Sequence, residues 1–307
     1  TLAVLRTYLA TYNNGIHEKD IETLMIHTFQ SSSKYDEAFQ ALKDIHLPNH
    51  NQQKALQQLS FFLGVTEYNQ SDYKQALTYF QLATQYPVED KIAYVNSFWL
   101  ADCYYQLNEF ENSAKLYIDL PGYNASAFPV LDKLKQYNLA YAYFQQGKYK
   151  LANKYFRIYE KLATDSMYLN DTYLRIADCF FMNQEYSLSE SYYAKAISFS
   201  LFDADYSLYK RSVALGLVKN NNTKVKLLKQ LTSDFLTSTY YDNALYDLAC
   251  YYKNTSKNDL ALSYYEKLIV ETKNEQFIAD AHLSKGMIYF NSGKADEAII
   301  SFLFLVN

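Results

Sequence analysis

The sequence predicts an all-α fold, an α-solenoid superhelix of about eight helix–turn–helix hairpins. Its composition and an internal repeat support this. The 307 residues include 33 Tyr and 19 Phe but only 7 Gly and 4 Pro. So few turn formers cannot supply the turns that a β-sandwich needs roughly every 8–12 residues. A disordered chain is excluded too, because a 49% hydrophobic sequence with 17% aromatic residues collapses around its apolar side chains.

A small residue, or a close substitute, recurs along the chain in steps of 35 to 39 residues, most often 37. We call these positions the marks, and they number the repeats from 1 to 8: Ile26, Gly64, Ala101, Ala140, Ala177, Ser212, Ala249 and Gly286. A large apolar residue follows 16 positions after every mark, from Leu42 in repeat 1 to Phe302 in repeat 8. Eight copies of one spacing indicate a repeat protein whose units stack on their neighbours.

Each repeat has the pattern of two amphipathic helices joined by a tight turn. In repeat 4, Leu139 to Phe144 place an apolar stripe on a first helix, and Tyr149 to Phe156 place one on a second. Gly147 lies between them and tolerates the left-handed conformation that ends a helix. The small marks allow the two helices to approach closely.

The repeats predict one continuous array over residues 19–307, preceded by a remnant helix of a truncated repeat at 1–18. Both ends of the chain fall inside the repeat pattern, so we expect a longer array. The longest connector, residues 119–133, contains Pro121 and Gly122 and is the predicted flex point.

The repeat resembles the tetratricopeptide repeat (TPR). The family pattern is carried by residues 100–105, 147–152 and 293–298, and the resemblance covers about residues 19–307. It implies a superhelix whose first helices line a concave groove. It also implies a non-catalytic protein–protein interaction scaffold that binds a partner peptide or helix there. The long step, and the style of residues 238–249, are similar to bacterial cell-envelope TPR proteins, which favours a periplasmic or cell-envelope location over a cytoplasmic one.

Alignment to the family predicts the groove residues of repeats 3 to 5. They are Phe98, Asp102, Tyr105, Tyr137, Tyr141, Phe144, Leu174, Asp178 and Phe181. Aromatic rings with two carboxylates suit a partner that carries apolar anchors and a basic residue. The alternative is that Tyr105, Phe144 and Phe181 only follow the packing preference of the family. An acidic partner tail is not expected, because Asp102 and Asp178 stand where the family's carboxylate-binding clamp has Asn.

Repeat 6 carries a run of basic residues that predicts a patch for an anionic partner: Lys210, Arg211, Lys219, Lys224, Lys226 and Lys229. The alternative is an ordinary solvated helix face with extended lysines. Aromatic residues are not interleaved with this run, so nucleic acid is not an expected partner. The chain as a whole has a net charge of −4, which also argues against a nucleic-acid platform.

The sequence predicts no catalytic residues, no metal site and no cofactor. It contains no phosphate-binding loop and no hydrolase or metalloprotease motif. The three cysteines are far apart and lack paired spacing. His46 and His50 are separated by Pro48, which breaks the helix face that a metal pair needs.

The predicted partner is therefore a protein or peptide, and no membrane span is expected. The longest apolar run, residues 299–306, is too short to cross a bilayer. A second hypothesis makes the chain a structural spacer or self-assembly segment of a larger, cell-envelope TPR protein. The pattern predicts no particular oligomeric state.

Overall fold

The computed structural model describes residues 35–43, 47–120, 128–199 and 201–306. All regular secondary structure in these ranges is α-helical. In chain order, α1 to α15 are Tyr35–Leu42, His50–Asn69, Tyr73–Thr84, Asp90–Gln106, Phe110–Asp119, Pro129–Gln145, Tyr149–Glu160, Ser166–Met182, Tyr186–Phe199, Ala204–Leu217, Asn221–Asp234, Tyr241–Asn254, Asn258–Glu271, Glu275–Asn291 and Ala295–Leu303. The predicted all-α class with helical hairpins is confirmed.

Helix pairs α2/α3 to α14/α15 correspond to repeats 2 to 8, and α1 is the second helix of repeat 1. The predicted helix at 1–18 and the mark Ile26 lie outside the described residues, as do residues 121–127 of the connector 119–133. The predicted domain boundaries stay predictions.

Every hairpin from repeat 2 to repeat 8 closes with a left-handed residue seven positions after its mark. These residues are Ser71, Asn108, Gly147, Gln184, Lys219, Ser256 and Gly293, with φ between 56° and 73°. In each turn the next backbone N–H bonds back to the carbonyl five residues earlier, as from Lys148 to Tyr143 at 3.0 Å. This is the Schellman way of ending a helix. Glycine or asparagine stands at three of the seven turns, so the turn geometry does not depend on the side chain.

The marks lie where the first helix meets the large ring of the second helix. Ala101 and Tyr117 of repeat 3 are both fully buried, as are Ala140 and Phe156 of repeat 4. At Gly64 a Cβ atom would stand 2.6 Å from the Phe80 ring, so glycine is required for that contact. The inference that small marks permit close helix packing is confirmed.

The chain divides into two compact units, residues 1–159 and 160–307. Unit 1 holds α1 to α7, and unit 2 holds the last residue of α7 with α8 to α15. In unit 1, Tyr117 and Leu139 belong to a core of buried apolar side chains. In unit 2, Leu228, Leu248 and Tyr265 belong to another. Among the described helices, none has the length and hydropathy needed to span a bilayer.

Candidate partner-binding site

Unit 1 contains an open pocket of about 270 Å³ between the first helices of repeats 3 and 4. Helix α4 contributes Asp102, Tyr105 and Gln106, and helix α6 contributes Tyr137, Asn138 and Tyr141. Four of these six were predicted groove residues, and they come from two repeats that are separated by a complete second helix. The structure therefore brings together Asp102, Tyr105, Tyr137 and Tyr141 as one surface.

Sequence reasoning missed Gln106 and Asn138. Each is the immediate neighbour of a predicted residue, but the family alignment marks only three inner positions on each first helix. Both side chains are amides, and both donate hydrogen bonds into the wall of the pocket. Polarity next to predicted inner positions was the signal available in the sequence.

Asp102 is the centre of a hydrogen-bond network that holds the pocket together. Tyr68 of repeat 2 donates to its Oδ2 atom, and Tyr117 donates to its Oδ1 atom at 3.4 Å. Gln106 Nε2 donates to the Tyr68 hydroxyl at 3.4 Å, and Asn138 Nδ2 donates to the Tyr117 hydroxyl at 3.0 Å. Two series of hydrogen bonds, each from an amide to a tyrosine hydroxyl and from that hydroxyl to the carboxylate, meet at Asp102.

The chemistry of the two tyrosines fixes the direction of this network. Burial raises the pKa of Tyr68, and its hydrogen bond to Asp102 raises it further. Burial also raises the pKa of Tyr117 well above its ordinary value, with the charge of Asp102 adding to the effect. Both hydroxyls therefore keep their protons at neutral pH and remain donors to the carboxylate.

Tyr137 and Tyr141 rest on the second helix of repeat 4. Their ring centroids are 5.0 Å apart, and Tyr137 lies 5.0 Å from Tyr159. Tyr141 packs edge-on against the buried Phe156 at 5.2 Å. Both tyrosines are half-buried, so each ring is held by the core while part of it faces the pocket.

Tyr105, Phe144 and Phe181 share one packing contact, as the alternative interpretation expected. Each ring meets the first aromatic residue of its own second helix edge-on, at 5.3 to 5.4 Å. This contact explains why aromatic residues recur at this position of the repeats. Tyr105 differs from the other two because it also lines the pocket.

The structure revises three of the predicted groove residues. Phe98 and Asp178 are 6% exposed and Leu174 is 0% exposed, so their side chains offer a partner almost no surface. The family alignment gives the register of a residue in its helix but not how closely the neighbouring helix covers it. We leave these three residues out of the proposed site.

Asp178 in unit 2 is closed by its own neighbours. Tyr193 and Tyr206 each donate to Oδ1 at 2.6 Å, and Arg175 pairs with Oδ2 at 2.8 Å. Burial and the charge of Asp178 raise the pKa of both tyrosines, so they too remain donors. This carboxylate has a structural role in unit 2.

Most of the predicted basic patch in repeat 6 is engaged within unit 2. Arg211 pairs with Glu190 at 3.0 Å, and Lys224 pairs with Asp247 at 3.1 Å. Lys210 lies over the Phe181 ring, and Lys229 lies over the Tyr252 ring. Lys219 and Lys226 are exposed. Acidic and aromatic partners from other helices explain most of this run, and binding of an anionic partner stays a prediction.

The cysteines of the described residues are free thiols. Cys103 and Cys179 are buried, and burial raises the pKa of Cys103 to about 12. A thiol with so high a pKa is a poor nucleophile at neutral pH. The described residues also hold no group of three or more His, Cys, Asp or Glu suited to a metal ion.

Sequence profiles of the tetratricopeptide repeat match residues 136–166 and 246–303. These two segments of the chain are tetratricopeptide repeats. The first segment lies mainly on repeat 4 and the second on repeats 7 and 8, which have the same hairpin geometry. No curated protein matches the chain in sequence.

Solved TPR structures share this fold at low sequence identity. The C-terminal part of a TPR repeat-containing protein from Cytophaga hutchinsonii has a TM-score of 0.59 at 13% identity, over 84% of this chain and 98% of that one. A signal-transduction ATPase with a TPR sensor from Pyrococcus horikoshii has a TM-score of 0.56 at 13% identity, over 94% of this chain and 53% of that one. The TPR protein YrrB, which has an unusual peptide-binding site, has a TM-score of 0.52 at 15% identity, over 66% of this chain and 96% of that one.

The TPR fold is in general that of a protein-interaction scaffold. TPR proteins bind protein partners and are generally non-catalytic. This likeness concerns the fold, and the choice of partner depends on the side chains of this chain.

Proposed function

We propose that this TPR protein is a non-catalytic scaffold that binds a peptide or helix of a partner protein at the pocket between α4 and α6. One observation carries the proposal: residues predicted from two different repeats converge on a single open pocket. By the TPR resemblance, this pocket lies in the concave groove formed by the first helices.

The side chains of the pocket have the two properties that peptide recognition needs. Tyr105, Tyr137 and Tyr141 offer large amphipathic rings that lose little conformational freedom on binding, because the core already holds them. Asp102 adds a charged acceptor at the wall of the pocket. A partner segment with an apolar anchor and a basic residue complements this surface. The peptide-binding site of YrrB is consistent with such a role for the fold.

The test is a selection of random dodecapeptides on the immobilised full chain, followed by calorimetric titration of the selected peptides. We expect Asp102→Asn to weaken their binding about tenfold, because it removes the charge but keeps an acceptor for Tyr117. Tyr137→Ala and Tyr141→Ala should each weaken binding to a similar degree or more. Thermal unfolding of each variant checks that the fold is kept.

The matched control is Asp178→Asn, which makes the same change at the same register of unit 2. It should leave peptide affinity unchanged, since Asp178 is covered by its own neighbours. Selected peptides that bind all the pocket variants as tightly as the wild type would contradict the proposal, as would a selection that yields no binder.

A self-assembly role is the second candidate, because large apolar side chains are exposed on α15 and in the turn that follows it. Ile300 is 70% exposed and Val306 is 82% exposed, whereas residues of this type are usually covered. Light scattering at increasing protein concentration tests this role, and Ile300→Lys is the variant that should abolish association. A wild-type chain that stays monomeric at all concentrations rules it out.

A further inference from the structure

The hydrogen bonds of the pocket orient both of its amide side chains alike, with an N–H group directed at a tyrosine hydroxyl. Gln106 and Asn138 each use an N–H to reach a tyrosine hydroxyl in the wall. Within the described residues, no donor reaches Gln106 Oε1 or Asn138 Oδ1. The pocket therefore offers two carbonyl oxygens that are ready to accept hydrogen bonds.

Asp102 has acceptor capacity left as well. Its two oxygens together have about four lone-pair sites, and the structure fills one on each oxygen, from Tyr68 and Tyr117. No basic side chain lines the pocket. Among the described residues, none forms an ion pair with Asp102. The carboxylate is thus uncompensated at the wall of an aromatic pocket.

In unit 2 the equivalent aspartate is paired with a basic side chain of the same chain. Asp178 has the register of Asp102, and its Oδ2 atom receives the guanidinium of Arg175 at 2.8 Å. Arg175 stands two residues before its mark, where repeat 3 has Trp99. Unit 1 therefore has the same carboxylate without the internal arginine.

We propose that the pocket of unit 1 selects an arginine side chain of the partner segment, in place of the guanidinium that unit 2 supplies from its own chain. This rests on the proposed peptide binding at the same pocket. A guanidinium is planar and carries five N–H donors, so it can bind a carboxylate through two bonds and still reach amide oxygens. It also stacks on aromatic faces, which Tyr105, Tyr137 and Tyr141 provide.

Lysine fits this pocket less well for a physical reason. Its ammonium group is a compact and strongly hydrated charge with three donors, so it loses more hydration and gains fewer hydrogen bonds in an aromatic pocket. Citrulline has the shape of arginine without the charge. The three side chains therefore separate the contribution of charge from that of shape.

The test uses three small probes on the full chain: the N-acetyl N-methylamides of arginine, lysine and citrulline. Titrations are followed by the ¹H–¹⁵N signals of the Gln106 and Asn138 side-chain amides. We expect saturable shifts with the arginine probe, about tenfold weaker binding of the lysine probe, and no saturable shift with the citrulline probe. Asp102→Asn should remove the arginine response, and Asp178→Asn should keep it. Equal responses to arginine and lysine, or none that saturates, would overturn the inference.

A second measurement separates this inference from the proposed function. Peptides selected on the wild-type chain are resynthesised with each arginine replaced by lysine or citrulline. A loss of affinity of about tenfold that disappears in Asp102→Asn supports arginine selection. If the peptides need the pocket but tolerate the replacement, or contain no arginine, the inference fails while the proposed function stands. If they bind regardless of the pocket variants, the proposed function fails, and arginine selection fails with it.

Discussion

Asp102 in unit 1 and Asp178 in unit 2 have the same register, one residue after the mark of their repeat, yet Asp102 borders an open pocket whereas Asp178 is only 6% exposed. Each accepts a hydrogen bond from the buried tyrosine 16 residues after its mark, Tyr117 or Tyr193. The difference lies around them. Helix α10 places Tyr206 on Asp178, whereas α6 has Leu134 at the register of Tyr206 and cannot close the carboxylate in the same way. Whether the aspartate carboxylate is covered therefore depends on residues outside the repeated pattern.

The shared part of the comparison extends to a third repeat. Cys250 follows the mark of repeat 7, and its thiol lies 3.4 Å from the hydroxyl of Tyr265. Repeats 2, 4, 6 and 8 have Phe or Leu 16 residues after the mark, and the residues directly after their marks are Val65, Tyr141, Val213 and Met287. None of these four is a carboxylate or a thiol. A buried tyrosine hydroxyl needs a partner, and a buried phenyl ring does not. An aspartate at this position is thus explained by structure, and only its surroundings point to binding.

The largest expected difference between the two aspartates is in stability. Asp178→Ala removes the partner of two tyrosine hydroxyls and of Arg175, and should cost about 3 kcal/mol. Asp102→Ala also removes the acceptor of two tyrosine hydroxyls, Tyr68 and Tyr117, but it leaves no charged side chain unpaired and the site borders an open pocket, so it should cost about 1 kcal/mol. Hydrogen exchange of the full chain, read for α8 to α10 and for α4 to α6, measures each effect in its own unit. Equal costs would show that the two carboxylates do the same work.

Giving α6 of unit 1 two residues of α10 of unit 2 should close the pocket at Asp102. Leu134→Tyr with Asn138→Lys gives unit 1 the residues that unit 2 has at these registers, Tyr206 and Lys210. We expect the selected peptides to bind the double variant about tenfold more weakly, because a hydroxyl of the chain then reaches Asp102 and a lysine replaces the Asn138 amide of the pocket. Calorimetry measures the change, and Leu134→Phe is the control for added bulk. Unchanged affinity in the double variant would refute this explanation of closure.

Removing single tyrosine hydroxyls should give a graded series of effects that depends on the partner of each hydroxyl and ends with the smallest. Tyr193→Phe removes a hydrogen bond to a buried, paired carboxylate and should cost about 2 kcal/mol. Tyr117→Phe removes a longer bond to Asp102 and should cost about 1 kcal/mol. Tyr265→Phe removes only a contact with a thiol and should cost about 0.5 kcal/mol. Hydrogen exchange of the full chain gives the ranking, and any other order would mean that the acceptor does not set the energy.

The hairpins could be predicted because their signal is local. Spacing of apolar residues places each helix, and the marks place each turn within a few residues. The same alignment found Asp102, Tyr105, Tyr137 and Tyr141, since register on a first helix is enough to put them on one surface.

Burial at the site could not be predicted, because it depends on which side chain the next hairpin presents. Leu174 and Asp178 have inner registers, but other side chains of unit 2 cover them. The amide direction of Gln106 and Asn138 depends on hydroxyls more than 20 residues away in sequence. The ion pair between Arg211 and Glu190 joins two repeats, so it could not be predicted from the charges of repeat 6 alone. The preference for a cell-envelope location has no counterpart among these contacts and stays a prediction.

The left-handed residue that closes each hairpin has a consequence for the evolution of such a repeat array. Serine, asparagine, glycine, glutamine and lysine all occur there with the same backbone geometry. A duplicated or deleted block of about one repeat therefore brings its own working turn and needs no compensating substitution elsewhere. Array length can vary by such events without loss of the hairpin, while substitutions around one aspartate open or seal a pocket.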